Sequence, residues 1–280
     1  MTTSVFATLP PDWQAWIRDN LARACSPHDM ADSMARSGQY SMAFARAAIG
    51  EALGAAPLAP DRCAALPQVD TSRNRLAVDG RAVDILCALR QPRLVLLGNV
   101  LDEDECDAIV AHCAGRYTRS TVTSEADGAS TVHEGRTSEM AFIQRGESAL
   151  ADRIEQRLAA IAQWPPDRGE PFQLQKYGVA QEYRPHFDWL NPDSDGHRAH
   201  LRRGGQRLAT FILYLSAVEE GGGTAFPNLG LEVFPRKGNA LFFLNTDAGQ
   251  RPDQQTLHAG CPVVRGTKII ANKWLRQGVY

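Results

Sequence analysis

Long apolar runs are missing from this chain. Stretches such as Leu94–Leu97 and Leu241–Leu244 fall far below the roughly 18 residues that cross a bilayer, so a membrane-spanning helix is excluded. A surplus of either charge is missing too. Thirty Lys and Arg stand against 32 Asp and Glu, and without clustered cations to neutralise phosphates nucleic-acid binding is not the main task. The six cysteines contain no Cys-x-x-Cys and would stay reduced in an intracellular chain. The opening MTTSVFATLPPDW lacks the charged-then-apolar order of a signal peptide, which sets the expectation of a cytoplasmic protein. What is present is average for a globular fold. Hydrophobic residues make up 44% and charged residues 22%, which excludes wholesale disorder.

Residues 1–60 predict helices. Trp13, Trp16, Ile17 and Leu21 follow helical spacing, and Met42, Ala45, Ile49 and Leu53 form a second stripe that stops at Gly54. This segment is expected to be a helical appendage packed on the main domain, or a partner-binding module. Residues 61–90 read as linker and hairpin: prolines 57, 60 and 67 mark the linker, and Asp79-Gly80 between two runs of strand formers marks the turn. Asp102 and Glu105 have the spacing of a capping box ahead of a helix, and SALADRIEQRLAAIAQW carries Leu150, Ile154, Leu158 and Ile161 on one helical face. After residue 170 come short strands: FQLQKY, RLATFILYLS, GTAF, LEVF, NALFFLN, CPVV and TKIIANKWL. Many short strands broken by Gly, Pro, Asn and Asp predict an α+β fold, a sandwich or barrel with helices supporting one side.

His186-Phe187-Asp188 offers a pair of metal ligands. In a strand, residues i and i+2 point to one face, so the imidazole and the carboxylate can converge on one ion. His258, near the start of another strand, supplies a third. Two His and one carboxylate make the facial triad of non-haem Fe(II) oxygenases. Zinc hydrolysis with the same donors stays chemically open, although a helical His-Glu-x-x-His is missing. Lys268 shares a strand face with Ile270, Asn272 and Trp274. If that face looks inward, Lys268 is a buried cation that needs an anion, which a dicarboxylate co-substrate would supply. Otherwise it snorkels to solvent.

With these residues in view, the chain resembles the prolyl 4-hydroxylases, a family of Fe(II)- and 2-oxoglutarate-dependent dioxygenases. The resemblance covers roughly residues 91–280 in six ordered blocks: PRLVLLGNVLDEDECDAIV, EGRTSEMAF, YGVAQEYRPHFD, QRLATFILYLSAVEEGGGTAFP, KGNALFFLN and LHAGCPVVRGTKIIANKWL. It implies a double-stranded β-helix, or jelly roll, with the metal-binding core at about residues 170–277. It implies His186, Asp188 and His258 as iron ligands, and Lys268 as the partner of the distal carboxylate of 2-oxoglutarate. Tyr177, Thr210 and Tyr214 look like further co-substrate contacts. Arg136, Ser138, Tyr183 and Trp274 match positions lining the family's peptide groove.

The implied cofactors are Fe(II), 2-oxoglutarate and dioxygen, with ascorbate as reductant. The implied partner is a peptide or protein substrate hydroxylated at prolyl residues, with no part for nucleic acid or membrane. Hydroxylation of another amino acid or small molecule, and a catalytically silent metal-binding protein, are the alternatives. The loop 190–206, rich in Arg and His, is expected to be either a lid over the substrate or a solvated connection. Oligomeric state is not legible in the sequence.

Overall fold

A computed structural model describes residues 4–23, 25, 27–37, 39–54, 66–123, 129–247 and 251–280. The chain divides into two compact units, residues 1–65 and 66–280. The first holds α1 (Pro11–Ala22), α2 (Pro27–Arg36) and α3 (Met42–Ala52). Their apolar stripes bury one another: Ile17, Met34, Ala45 and Ile49 are fully buried in one cluster with Trp13 and Trp16 packed against it. The unit's own helices therefore cover Ile17. The proline-rich stretch around 57 and 60 lies outside the described residues.

The second unit begins with β1 (Arg75–Val78), β2 (Arg81–Leu89), β3 (Leu94–Gly98) and α4 (Glu103–His112). Then come β4 (Thr118–Arg119), β5 (Thr121–Thr123), β6 (Ser130–Val132), β7 (Glu139–Ile143), α5 (Ala149–Ala162), β8 (Phe172–Tyr177), β9 (Tyr183–His186) and α6 (Asp195–Leu201). The remaining strands are β10 (Arg207–Tyr214), β11 (Val218–Gly221), β12 (Thr224–Phe226), β13 (Leu231–Val233), β14 (Ala240–Leu244), β15 (His258–Gly260), β16 (Val263–Gly266) and β17 (Lys268–Arg276). Nine of them form one antiparallel sheet in the order β1-β2-β3-β14-β10-β17-β8-β7-β4, and β13-β12-β15-β9 form the smaller facing sheet. This is a jelly roll.

Local chemistry accounts for the elements. Asp79 and Gly80 both have positive φ, 53° and 70°, the geometry of the two-residue hairpin turn that matches strand twist. The hairpin joins the large sheet as its edge. Asp102 accepts from the Glu105 amide while Glu105 reaches back to the Asp102 amide, so the capping box is complete. The run Phe211–Leu215 is apolar throughout because the strand is covered on both faces. Its outer side chains, Phe211 and Leu213, pack under α5 with Ile154, Leu158 and Ile161. Its inner ones, Ile212 and Tyr214, join Tyr177, Phe243 and Ile270 between the sheets. Truncating Leu158, which is fully buried, to Ala should cost about 2–5 kcal/mol.

Candidate active site

Strand pairing brings the first two ligands together: His258 of β15 lies opposite His186 of β9. Asp188 arrives differently from the sequence expectation. β9 ends at His186, so the carboxylate sits in the bend just beyond the strand and does not reach the site by strand alternation. Thr210 of β10 holds it there, its hydroxyl donating to Asp188 Oδ2 at 2.8 Å. His186 Nε2 is 3.8 Å from Asp188 Oδ1, and His258 Nε2 is 3.6 Å from Asp188 Oδ2. Ligands about 2.1 Å from a shared ion can be separated by up to roughly 4.2 Å, so both spacings suit one metal.

The second layer of contacts prepares the donors. His186 Nδ1 donates to the Arg184 carbonyl and His258 Nδ1 to the Thr256 carbonyl, each at 3.0 Å. Both Nε2 lone pairs are thereby left for a metal. Burial, with the neighbouring His258, pushes the His186 pKa down and keeps it neutral as a ligand must be. Burial alone would raise the Asp188 pKa, but His258, His186 and Arg207 outweigh it and hold the carboxylate ionised. Tyr183 stacks on His186 with ring centres 3.6 Å apart, and Phe243 packs edge-on to His258 at 4.9 Å. The donor set, its ionisation and its hydrogen bonding all fit Fe(II).

On one side of the triad is a tight pocket bounded by Tyr177, Thr224, Ile212, Ile270, Asn272 and Lys268. Lys268 is only 1% exposed, so it does not snorkel. Its Nζ donates to the Gly223 carbonyl at 3.2 Å, and burial lowers its pKa to about 8. Gly222 beside this lysine has φ +66°, a backbone conformation that favours glycine, and a Cβ there would crowd Val218 and Val263 at 3.3 Å. On the other side opens a cavity of about 690 Å³ lined by Arg136, Tyr183, Trp189, Asn191, Arg207 and Trp274, among others.

Three expected contacts sit elsewhere than the resemblance implied. Thr210 is spent on Asp188 and does not line the Lys268 pocket. Tyr214 lies behind that pocket, its hydroxyl 3.0 Å from that of Thr224, because the intervening β12 takes the position at the wall. Ser138 is fully buried against Ser120, with their hydroxyls 2.9 Å apart, and does not reach the large cavity. The loop 190–206 contains α6, capped by Ser194. Arg276 ties its end to the barrel by donating to the carbonyls of His200 and Arg203, both at 2.5 Å.

Residues that sequence reasoning passed over also appear here. Thr224 stands at the pocket wall, where the adjoining Gly-Gly-Gly was the available signal. Arg207 lies over the Trp274 ring at 3.8 Å while gripping Glu170 through two hydrogen bonds. Gln173 and Gln175 occupy inward positions of β8 that looked merely strand-compatible.

A jelly roll holding two His and one Asp beside a buried lysine defines a mononuclear Fe(II) oxygenase class. The profile of the 2OG-Fe(II) oxygenase superfamily matches residues 172–276. Probable prolyl 4-hydroxylase 3 of Arabidopsis thaliana is 34% identical over 209 residues, covering 68% of this chain and 71% of that protein. Prolyl 4-hydroxylase subunit alpha-1 of Rattus norvegicus is 33% identical over 187 residues, covering 67% of this chain and 35% of that one. The viral collagen prolyl hydroxylase vCPH from Paramecium Bursaria Chlorella virus-1, solved as its 2OG complex, superposes with a TM-score of 0.52 at 30% identity over 65% of this chain and 95% of its own. The chain belongs to the prolyl 4-hydroxylase family, and is a 2-oxoglutarate-dependent dioxygenase using Fe(II) and dioxygen.

Proposed function

We propose that the enzyme hydroxylates prolyl residues within a peptide or protein chain. The observation that carries this reading is the cavity beside the triad. At about 690 Å³ it falls in the range that encloses a ligand of several residues' size, with aromatic faces at Tyr183 and Trp274 and polar groups at Arg136 and Arg207. The relatives named prolyl 4-hydroxylases support the choice of proline.

Bound Fe(II) and 2-oxoglutarate supply the oxidising chemistry, in which the co-substrate is decarboxylated to succinate and one oxygen atom enters a substrate C–H bond. The protein's part is placement. His186, Asp188 and His258 would hold the metal between the two pockets. Lys268 would pair with the distal carboxylate in a site too buried for water to compete, with Tyr177 and Thr224 completing the walls. Tyr183, stacked on His186, would carry substrate contact directly onto a ligand. Ascorbate as external reductant belongs to the same proposal through the family. So does a cytoplasmic setting, which the five described cysteines support by being free thiols. A panel of proline-containing and proline-free peptides, read by mass spectrometry for the gain of one oxygen atom, tests it. Oxygen gained only on proline-free peptides, or on free amino acids, would sink the prolyl reading.

A further inference from the structure

Three side chains of β8 point inward in succession, Gln173, Gln175 and Tyr177, and hydrogen bonds link them to Arg136 at the edge of the large cavity. Arg136 Nη2 donates to Gln173 Oε1 at 2.8 Å. Gln175 Nε2 donates to the same oxygen at 2.9 Å, and the Tyr177 hydroxyl donates to Gln175 Oε1. The direction of this chain is forced. A guanidinium can only donate, so Gln173 must turn its oxygen to Arg136. Gln175 must then offer its amide nitrogen to that oxygen, and only its own oxygen is left for the phenol. The Ser138 hydroxyl also faces Tyr177, but a hydroxyl both donates and accepts and so sets no direction.

The consequence falls in the co-substrate pocket. With its proton committed to Gln175, Tyr177 presents only lone pairs to an incoming carboxylate. We propose that Gln173 and Gln175 form a latch through which Arg136 withholds the Tyr177 proton from 2-oxoglutarate, and that a substrate drawing Arg136 into the groove releases it. Gln173 and Gln175 are positioning residues, because they act through the phenol. The inference rests on the placement of 2-oxoglutarate between Lys268 and Tyr177. It adds to that placement a reason for the co-substrate to be held more tightly once substrate is present.

The test is calorimetric titration of 2-oxoglutarate into Mn(II)-loaded protein without oxygen. Gln175→Leu frees the phenol to donate to the carboxylate and should tighten binding about tenfold, the worth of a hydrogen bond to a charged group. Arg136→Met, which acts from the groove, should tighten it in the same direction. The double variant should bind no tighter than Gln175→Leu alone, since both changes undo one latch. A merely structural role for either residue would weaken binding instead, and the two losses would add. Adding Tyr177→Phe to Gln175→Leu should cancel the tenfold gain, because it removes the donor that the first change set free.

A folded Gln175→Leu protein with unchanged or weaker affinity would overturn the latch. So would a gain in Gln175→Leu that survives the added Tyr177→Phe. Wild-type protein that binds no 2-oxoglutarate, or binds it as well after Lys268→Met, would instead overturn the placement and the latch with it.

Discussion

Two buried lysines, five residues apart on β17, look out from opposite faces of the large sheet. Lys273 faces the helices and is 2% exposed; Lys268 faces the smaller sheet and is 1% exposed. The outer one is satisfied by the protein, donating to the Glu155 carboxylate and to the Glu170 carbonyl. The inner one has the single carbonyl of Gly223, and among the described residues no carboxylate lies within ion-pair distance of it; Glu232 acts only from farther off. Desolvation lowers both pKa values. A buried charge without a counterion costs stability, so a fold that keeps one has left room for an anion that arrives from outside. One lysine is part of the structure, and the other waits for a ligand.

The metal ligands set the scale for effects on the inner face. Replacing His186, Asp188 or His258 by Ala removes one of three donors and should abolish turnover while the melting curve of the metal-free protein stays cooperative. Turnover by metal-analysed His258→Ala protein would contradict the site. Next in size comes the inner lysine. Lys268→Met should weaken 2-oxoglutarate binding by about 30- to 1000-fold, as truncation of one partner of a buried charged contact does. It should also raise the stability of the ligand-free protein, because an uncompensated charge is gone. Lys273→Met should do the reverse. It leaves the buried Glu155 carboxylate with only the longer contact to Arg145 at 3.5 Å and should lower stability in denaturant unfolding by about 1–3 kcal/mol, leaving co-substrate affinity unmoved. Parallel behaviour of the two variants in either measurement would erase the distinction.

The same contrast shows how far the sequence could be read. Alternation along TKIIANKWL separates Lys268 from Lys273, and the pairing of β17 with β8 and β10 confirms that the Lys268 face is the inner one. Which of the two cations has a protein partner was not legible, because Glu155 comes from α5 and Glu170 from the segment before β8, and only tertiary packing brings them to Lys273. Asp188 was legible as a ligand but not by its route, since a bend replaces the strand expected to carry it. Thr210 and Tyr214 share the inward face as their spacing implies. The pattern could not tell that Asp188 would claim one hydroxyl and that Thr224 would stand in front of the other. The direction of the Arg136–Gln173–Gln175–Tyr177 chain depends on hydrogen-bond donors meeting across strands, and carries no periodicity to detect.

The smallest expected effect is a pH dependence of opposite sign in two measurements on one group. In the ligand-free fold the Lys268 pKa is lowered from 10.5 to about 8, while in the unfolded chain it keeps its ordinary value. Below pH 8 the folded protein carries the full penalty of the buried cation. Between about pH 8 and 10.5 the unfolded chain binds more protons than the folded one, so this lysine's contribution to stability rises with pH, by on the order of 3 kcal/mol across the window. Co-substrate affinity runs the other way. A bound carboxylate favours the protonated amine, so binding should be flat up to about pH 8 and then fall by roughly tenfold per pH unit. Lys273 gives no such fall in affinity, because no ligand carboxylate meets it. Calorimetric titrations of 2-oxoglutarate from pH 7 upward, set beside denaturant unfolding of the ligand-free protein over the same range, check both signs. In Lys268→Met both slopes that belong to this group should vanish, and a fall in affinity that survives the substitution would assign the titration to another residue.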